Sequence, residues 1–174
     1  FQDYQIYGAT LAENVLMDEV EVGDRERILE ALKQADFEKR LLRLPDGLAT
    51  NMTREFREDG TMLSGGEAQK VAIARMFVRT GKQFLAILDE PSSALDPLAE
   101  YQLNTNMMKN AGDAAVIFIS HRLSTTRDAD RIYMFENGRI IEQGSHQELM
   151  RLGGKYAAMF EKQAYYYQDE IAAC

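Results

Sequence analysis

The chain has a single cysteine, Cys174, at its very end. No disulfide framework exists within it, and a reducing compartment is the simplest setting. Prolines number three, and the hydrophobic share is 45%, which excludes a disordered chain and fits a globular one. Positive charge is in deficit, with 20 Lys and Arg against 28 Asp and Glu for a formal net charge of −8. That balance argues against nucleic acid as a partner of the chain as a whole. Long apolar runs are lacking too. The longest, Phe84–Leu88 and Ala114–Ile119, are strand-sized and fall far short of the roughly 20 residues needed to span a bilayer. No signal peptide is expected, and no internal repeat or low-complexity tract is found. A start at Phe1 without methionine leads us to expect an excised piece, with any membrane portion lying elsewhere.

What is present suits one domain, or one domain plus a small lobe, at 174 residues. Thr10 to Glu13 is a T-x-x-E capping box that opens a short helix through Val15 and Leu16. A second helix is predicted from Asp24 to Ala35, with Ile28, Leu29 and Leu32 on one face. Phe37 to Leu44 adds a short helical piece before Pro45-Asp46-Gly47 forces a turn. Residues Asn51 to Met62 read as loop, and Ser64 with Glu67 forms a second capping box at the head of a helix running to about Thr80.

The character then changes. Phe84 to Leu88 is unbroken and apolar, as a strand buried on both faces should be. A helix near Leu98 to Asn110 and a second apolar strand, Ala115 to Ile119, suggest a parallel crossover. Arg131 to Phe135 and Arg139 to Gln143 flank Asn137-Gly138, a strong hairpin signal. Ser145 to Glu148 is a third capping box, and a helix from about Gly154 closes the chain, with Tyr165-Tyr166-Tyr167 at its surface end.

Three features carry chemistry. Asp89-Glu90 directly follows an apolar strand, and ligands of open α/β sheets bind at the carboxyl ends of strands. An Asp there suits Mg²⁺ held through water, and the next carboxylate is placed to orient or deprotonate an attacking water. Leu63-Ser64-Gly65-Gly66-Glu67 puts a hydroxyl and two glycines at a helix start, where bare N–H groups and the helix dipole favour a phosphate. His121 lies just past the second apolar strand, where an imidazole would hydrogen-bond a phosphate. Each has an ordinary alternative taken alone: two solvated acids, a serine that only caps, a turn histidine bonded to backbone.

In combination they are far more specific. Ser64-Gly65-Gly66, then Ile87 through Asp96, then Ser120-His121-Arg122 occur in the order of one family. They resemble the signature, Walker B, D-loop and switch-histidine elements of ATP-binding cassette (ABC) ATPases. Phe1-Gln2-Asp3 resembles the Q-loop, and residues 136–146 resemble the C-terminal hairpin. Ser-His-Arg-Leu-Ser at 120–124 is similar to exporters more than to importers. The resemblance implies an α/β fold, part of the P-loop NTPase (ABC ATPase) fold, with a helical subdomain, a parallel-sheet core and a C-terminal β-hairpin. It divides the chain into residues 1–80, Q-loop and helical subdomain, and residues 81–174, the later part of the ATPase core.

The same resemblance implies ATP and Mg²⁺ as cofactors and assigns roles. Gln2 would sense Mg²⁺ and the attacking water, Asp89 would serve Mg²⁺, and Glu90 would be the general base. Ser64, Gly65 and Gly66, with Glu67 closing the signature, would meet the γ-phosphate of ATP held by a second nucleotide-binding domain. Asp96 would signal across that dimer, and His121 would hold the γ-phosphate. A transmembrane domain of the same chain or complex would be the other partner, with the ATPase at the cytoplasmic face of the membrane. The function implied is ATP hydrolysis coupled to export. The alternative is a soluble ABC-type ATPase acting on DNA or ribosomes, against which the acidic balance and the short gap between Gln2 and Ser64 both weigh.

The sequence departs from the family pattern in three places. Glu67 stands where glutamine is more usual, Arg57 replaces a customary glycine before Glu58, and no G-x-x-x-x-G-K-[ST] stretch occurs anywhere. That glycine-rich loop supplies most β- and γ-phosphate contacts. The chain by itself is therefore expected to bind ATP very weakly and not to turn it over; micromolar Mg-ATP binding in isothermal titration of this chain would contradict that.

Overall fold

The computed structural model describes residues 4–79, 85–91, 97–110, 114–121 and 126–172. They pack as two units, Phe1–Ile119 and Ser120–Cys174.

In the first unit, helices α1 (Leu11–Leu16), α2 (Asp24–Gln34), α3 (Glu38–Leu41) and α4 (Gly65–Phe77) precede strand β1 (Leu85–Asp89), helix α5 (Pro97–Asn110) and strand β2 (Ala115–Ile119). Thr10 caps α1 and Ser64 caps α4, each in a complete capping box as the S/T-x-x-E spacing predicts. Helix α2 has no side-chain cap, but Asp24 and Glu26 in its first turn and Lys33 in its last complement the dipole. Its period of 3.6 buries Ile28, Ala31 and Leu32. These meet Leu11 and Val15 of α1, Phe37, and Val71, Ala74 and Phe77 of α4 in one core, to which α5 adds Leu103 and Met107.

Arg75 of α4 fastens the start of the unit to this core. Its Nε donates to Asn14 O at 2.8 Å, one terminal nitrogen donates to Gln5 O at 2.6 Å, and its guanidinium lies over the Tyr7 ring. Burial pushes Arg75 below the ordinary guanidinium value. Asn14, itself buried, accepts from Tyr7 N and donates to Tyr7 O and Thr10 O.

The stretch Asn51–Met62 is less free than a polar loop reads. Bridges pair Thr10 with Asn51 and Met52 with Thr61, and Met52 is buried. Gly60 passes so close to Thr53 that a Cβ there would lie 1.5 Å from Thr53 O.

Strands β1 and β2 pair in parallel, from Leu85 opposite Ala115 to Asp89 opposite Ile119. The expectation of burial on both faces is not met. Leu88 and Phe118 pack against the helical core, whereas Ile87 is 61% exposed and Leu85, Ile117 and Ile119 about half. Successive strand residues point to opposite faces, and among the described residues only one face is covered. Phe84 and Thr80, where the strand and α4 were expected to begin and end, lie outside the described residues.

The second unit opens at Ser120 and contains β3 (Ile132–Glu136), β4 (Arg139–Gly144), α6 (His146–Leu152) and α7 (Lys155–Ala172). The strands form the expected antiparallel hairpin, and its turn places Asn137 at φ 50° and Gly138 at φ 74°, the paired left-handed conformation that Asn-Gly favours. Ser145 and Glu148 complete the third capping box. Glu142 of β4 reaches the start of α7, accepting from Lys155 N at 2.6 Å and Tyr156 N at 3.0 Å. Tyr156 is fully buried beside Ile132 and Leu149, and its hydroxyl meets Thr126 Oγ1 and His146 Nδ1, each at 2.8 Å.

Candidate functional site

The tip of α4 is built by its cap. Ser64 holds extended backbone at φ −67° and ψ 162°, so its side chain turns back over the first helical turn. Glu67 N donates to Ser64 Oγ at 3.3 Å, and Ser64 N donates to Glu67 Oε2 at 2.8 Å. The other carboxylate oxygen of Glu67 lies 2.8 Å from Arg40 Nε of α3. The Arg40 N–H is not aligned on that oxygen, so the contact is an ion pair and not a directed hydrogen bond. Ser64 and Gly65 are exposed, and a Cβ added to Gly65 would meet nothing within 4 Å. First-turn N–H groups have no intrahelical acceptor. An anion therefore has an open approach to backbone donors, a hydroxyl and the positive end of the dipole.

At the carboxyl edge of the sheet, Asp89 ends β1 and is exposed. Glu90 N donates to Ile119 O at 2.8 Å, which continues the ladder one residue beyond the strand. Glu90 itself takes a left-handed conformation at φ 46°, where the chain leaves the sheet. Asp89 and Glu90 thus stand together at the sheet's rim.

A buried amide joins this rim to α4. Gln69, fully buried on the inner face of the helix, donates through Nε2 to Pro91 O and to Tyr4 Oη, both at 2.8 Å. It therefore fixes the residue after Glu90 and the segment near the chain start to the helix that carries Ser64. The residue motifs did not single out Gln69. Its signal is a polar residue in phase with buried Ile73 and Phe77 on an otherwise apolar face.

His121 belongs to the second unit, where it is exposed and its carbonyl accepts from Gln163 Nε2 at 2.8 Å. Gln2 and Asp96 lie outside the described residues, as do Ser92 to Leu95 and Arg122 to Ser124. Among the described residues, no group of three or more His, Cys, Asp or Glu side chains is arranged to hold a metal ion. A single carboxylate such as Asp89 suits Mg²⁺, which keeps much of its water and takes the rest of its ligands from phosphates.

The ABC transporter family model matches residues 1–93, more than half of the 174. The chain belongs to the ABC transporter family. Its relatives are transporters: it is 40% identical over 166 residues to a sophorolipid transporter of Starmerella bombicola, covering 93% of this chain and 12% of that protein. It is 36% identical over 164 residues to an ATP-dependent lipid A-core flippase of Legionella pneumophila (strain Lens), covering 94% and 27%. Among solved structures, a bacterial Atm1-family ABC exporter with ATP bound superposes with a TM-score of 0.76 at 36% identity, over 91% of this chain and 27% of that one. This ABC chain therefore spans about a quarter or less of the proteins it resembles. Its mixed α/β architecture, with helices, a small parallel sheet and a C-terminal hairpin, is the expected part of the ABC ATPase fold.

Proposed function

We propose that this chain is part of the ATP-hydrolysing domain of an ABC exporter, coupling ATP binding and hydrolysis to transport across a membrane. The observation that carries the reading is the Gln69 amide, which holds the Ser64 helix and the turn after Asp89-Glu90 as one piece. Two chemically distinct rims, one of phosphate-directed donors and one of carboxylates, are thereby kept in fixed relation. Ser64, Gly65 and Asp89 are exposed, and Glu90 is half-buried. The exporters among the relatives give the transport context.

Bound Mg-ATP supplies the phosphoryl group and a metal ion that offsets its charge. Asp89 would offer that ion a carboxylate. Glu90, one residue past the strand, orients or deprotonates the attacking water as general base. Ser64 gives its hydroxyl, and Gly65 and Gly66 their N–H groups, to the γ-phosphate of ATP held by a second copy of the domain, while Glu67 keeps the cap closed. His121 hydrogen-bonds the γ-phosphate, Gln2 senses the metal and water, and Asp96 signals across the dimer. The transmembrane partner and a cytoplasmic-face location follow from this reading; nucleic acid does not fit the net charge of −8.

The test is Glu90→Gln in the full-length transporter. Turnover is expected to vanish while ATP binding persists, because the amide keeps the shape and loses the base. Turnover at the wild-type rate contradicts the assignment of Glu90.

A further inference from the structure

The three capping boxes of this chain share one sequence pattern but differ in what becomes of the hydroxyl proton. Thr10 Oγ1 donates to Glu13 Oε2 at 2.6 Å, and Ser145 Oγ donates to Glu148 Oε2 at 3.1 Å. Those hydroxyls are spent on their own glutamates. Ser64 Oγ accepts from Glu67 N but makes no such donation to Glu67. Glu67 differs in a second way. Its Oε2 serves the Ser64 N–H, just as Oε2 of Glu13 and of Glu148 serves its own cap residue, but its Oε1 faces Arg40.

A carboxylate at this tip also creates a difficulty that an amide would not. If the helix meets a phosphate, a like charge one turn away opposes the approach. Arg40 brings a counter-charge to it. Its guanidinium sits 2.8 Å from Oε1, and both side chains are about 30% exposed, so solvent only partly screens the pair.

We propose that Arg40 is a positioning residue for the signature serine: by holding Glu67 Oε1 it offsets that charge and leaves the Ser64 hydroxyl proton for an incoming phosphate. The inference rests on the reading that the α4 tip meets the γ-phosphate, and it adds a residue outside the motif. It also explains how glutamate is tolerated at position 67, because the charge arrives with its own counter-ion from α3.

The test is steady-state ATPase kinetics of the full-length transporter carrying Arg40→Ala, Glu67→Gln, both together, and Arg40→Lys. Removing Arg40 is expected to raise KM for ATP about threefold to fivefold when residue 67 is Glu, the size of a partly exposed ion pair, and under about twofold when it is Gln. Arg40→Lys, which keeps the charge, is expected to restore most of the loss. An equal change in both backgrounds, or no change in either, overturns the proposal. Should Arg40→Ala fail to assemble, Arg40→Gln carries the same comparison. Ser64→Ala separates the two levels of the claim. If it leaves KM and turnover unchanged, the reading of the helix tip fails; if it impairs them while Arg40 has no Glu67-dependent effect, only the Arg40 inference fails.

Discussion

The α4 tip and the β1 rim are both proposed to face nucleotide, yet the chain supports them in different ways. The tip is the head of a helix whose inner face is sunk in a continuous core, with Val71 and Ala74 fully buried and Arg75 fastened to Asn14 and Gln5. Its own donors are set by Ser64, Glu67 and Arg40. The β1 rim stands on a two-stranded sheet with one apolar face against the helices and the other open, Ile87 being 61% exposed. The helix-bearing part thus holds most of the buried core, and the strand-bearing part joins it through Leu88, Phe118 and the Gln69–Pro91 link. What the rim can offer a nucleotide depends on that attachment.

Substitutions separate the two supports. The largest effect is expected for Gly60→Ala, since a Cβ 1.5 Å from Thr53 O forces backbone apart under the helix-bearing part. Thermal or urea unfolding should register a loss of about 3 kcal/mol or more. Next, Leu88→Ala on the packed face of β1 should cost about 2 kcal/mol, whereas Ile87→Thr on the open face should stay within about 0.5 kcal/mol. Equal costs at 87 and 88 would mean the two faces are not different. Gln69→Leu, which strands the carbonyl of Pro91 and the hydroxyl of Tyr4, should cost about 1–3 kcal/mol and should loosen the β1 rim more than the α4 tip in amide hydrogen exchange.

The smallest effect concerns α1. Hydrogen bonds from the Thr10 side chain and then its backbone hold Glu13 below its ordinary value of 4.5. A carboxylate with a lowered folded pKa stabilises above its unfolded value, and the benefit disappears as pH falls through the folded one. The melting-temperature difference between wild type and Glu13→Gln should therefore be present at neutral pH and shrink below about pH 4.5, the unperturbed carboxylate value. A difference that stays constant into acid would show that the charge of Glu13 is not what matters.

Local features were legible where neighbouring residues decide the structure. The S/T-x-x-E spacing located all three capping boxes, and Asn137-Gly138 located the hairpin turn, because each is settled by a handful of adjacent dihedrals. What escaped depends on long-range approach. Gln69 reaches Pro91 across 22 residues, and Arg40 meets Glu67 from a different helix. Neither pairing leaves a mark in spacing. The apolar run of β1 likewise revealed a strand but not which of its faces would find a neighbour. At the candidate site, Asp89 and Glu90 follow the strand and Ser64 heads the helix, as their positions in the chain implied, while the amide that links them emerges only from the fold.

The proposed sharing of a nucleotide pocket is tested most directly by photo-cross-linking with an ATP analogue bearing its reactive group on the γ-phosphate, applied to a transporter in which the two copies of this domain are made distinguishable by mass. Glu90→Gln protein, expected not to hydrolyse it, would hold the analogue in place. The account predicts labelling of the peptide containing Ser64 to Glu67 in the copy opposite the one that retains the nucleotide. Labelling confined to the copy that binds the nucleotide, with that peptide untouched in its mate, would contradict it.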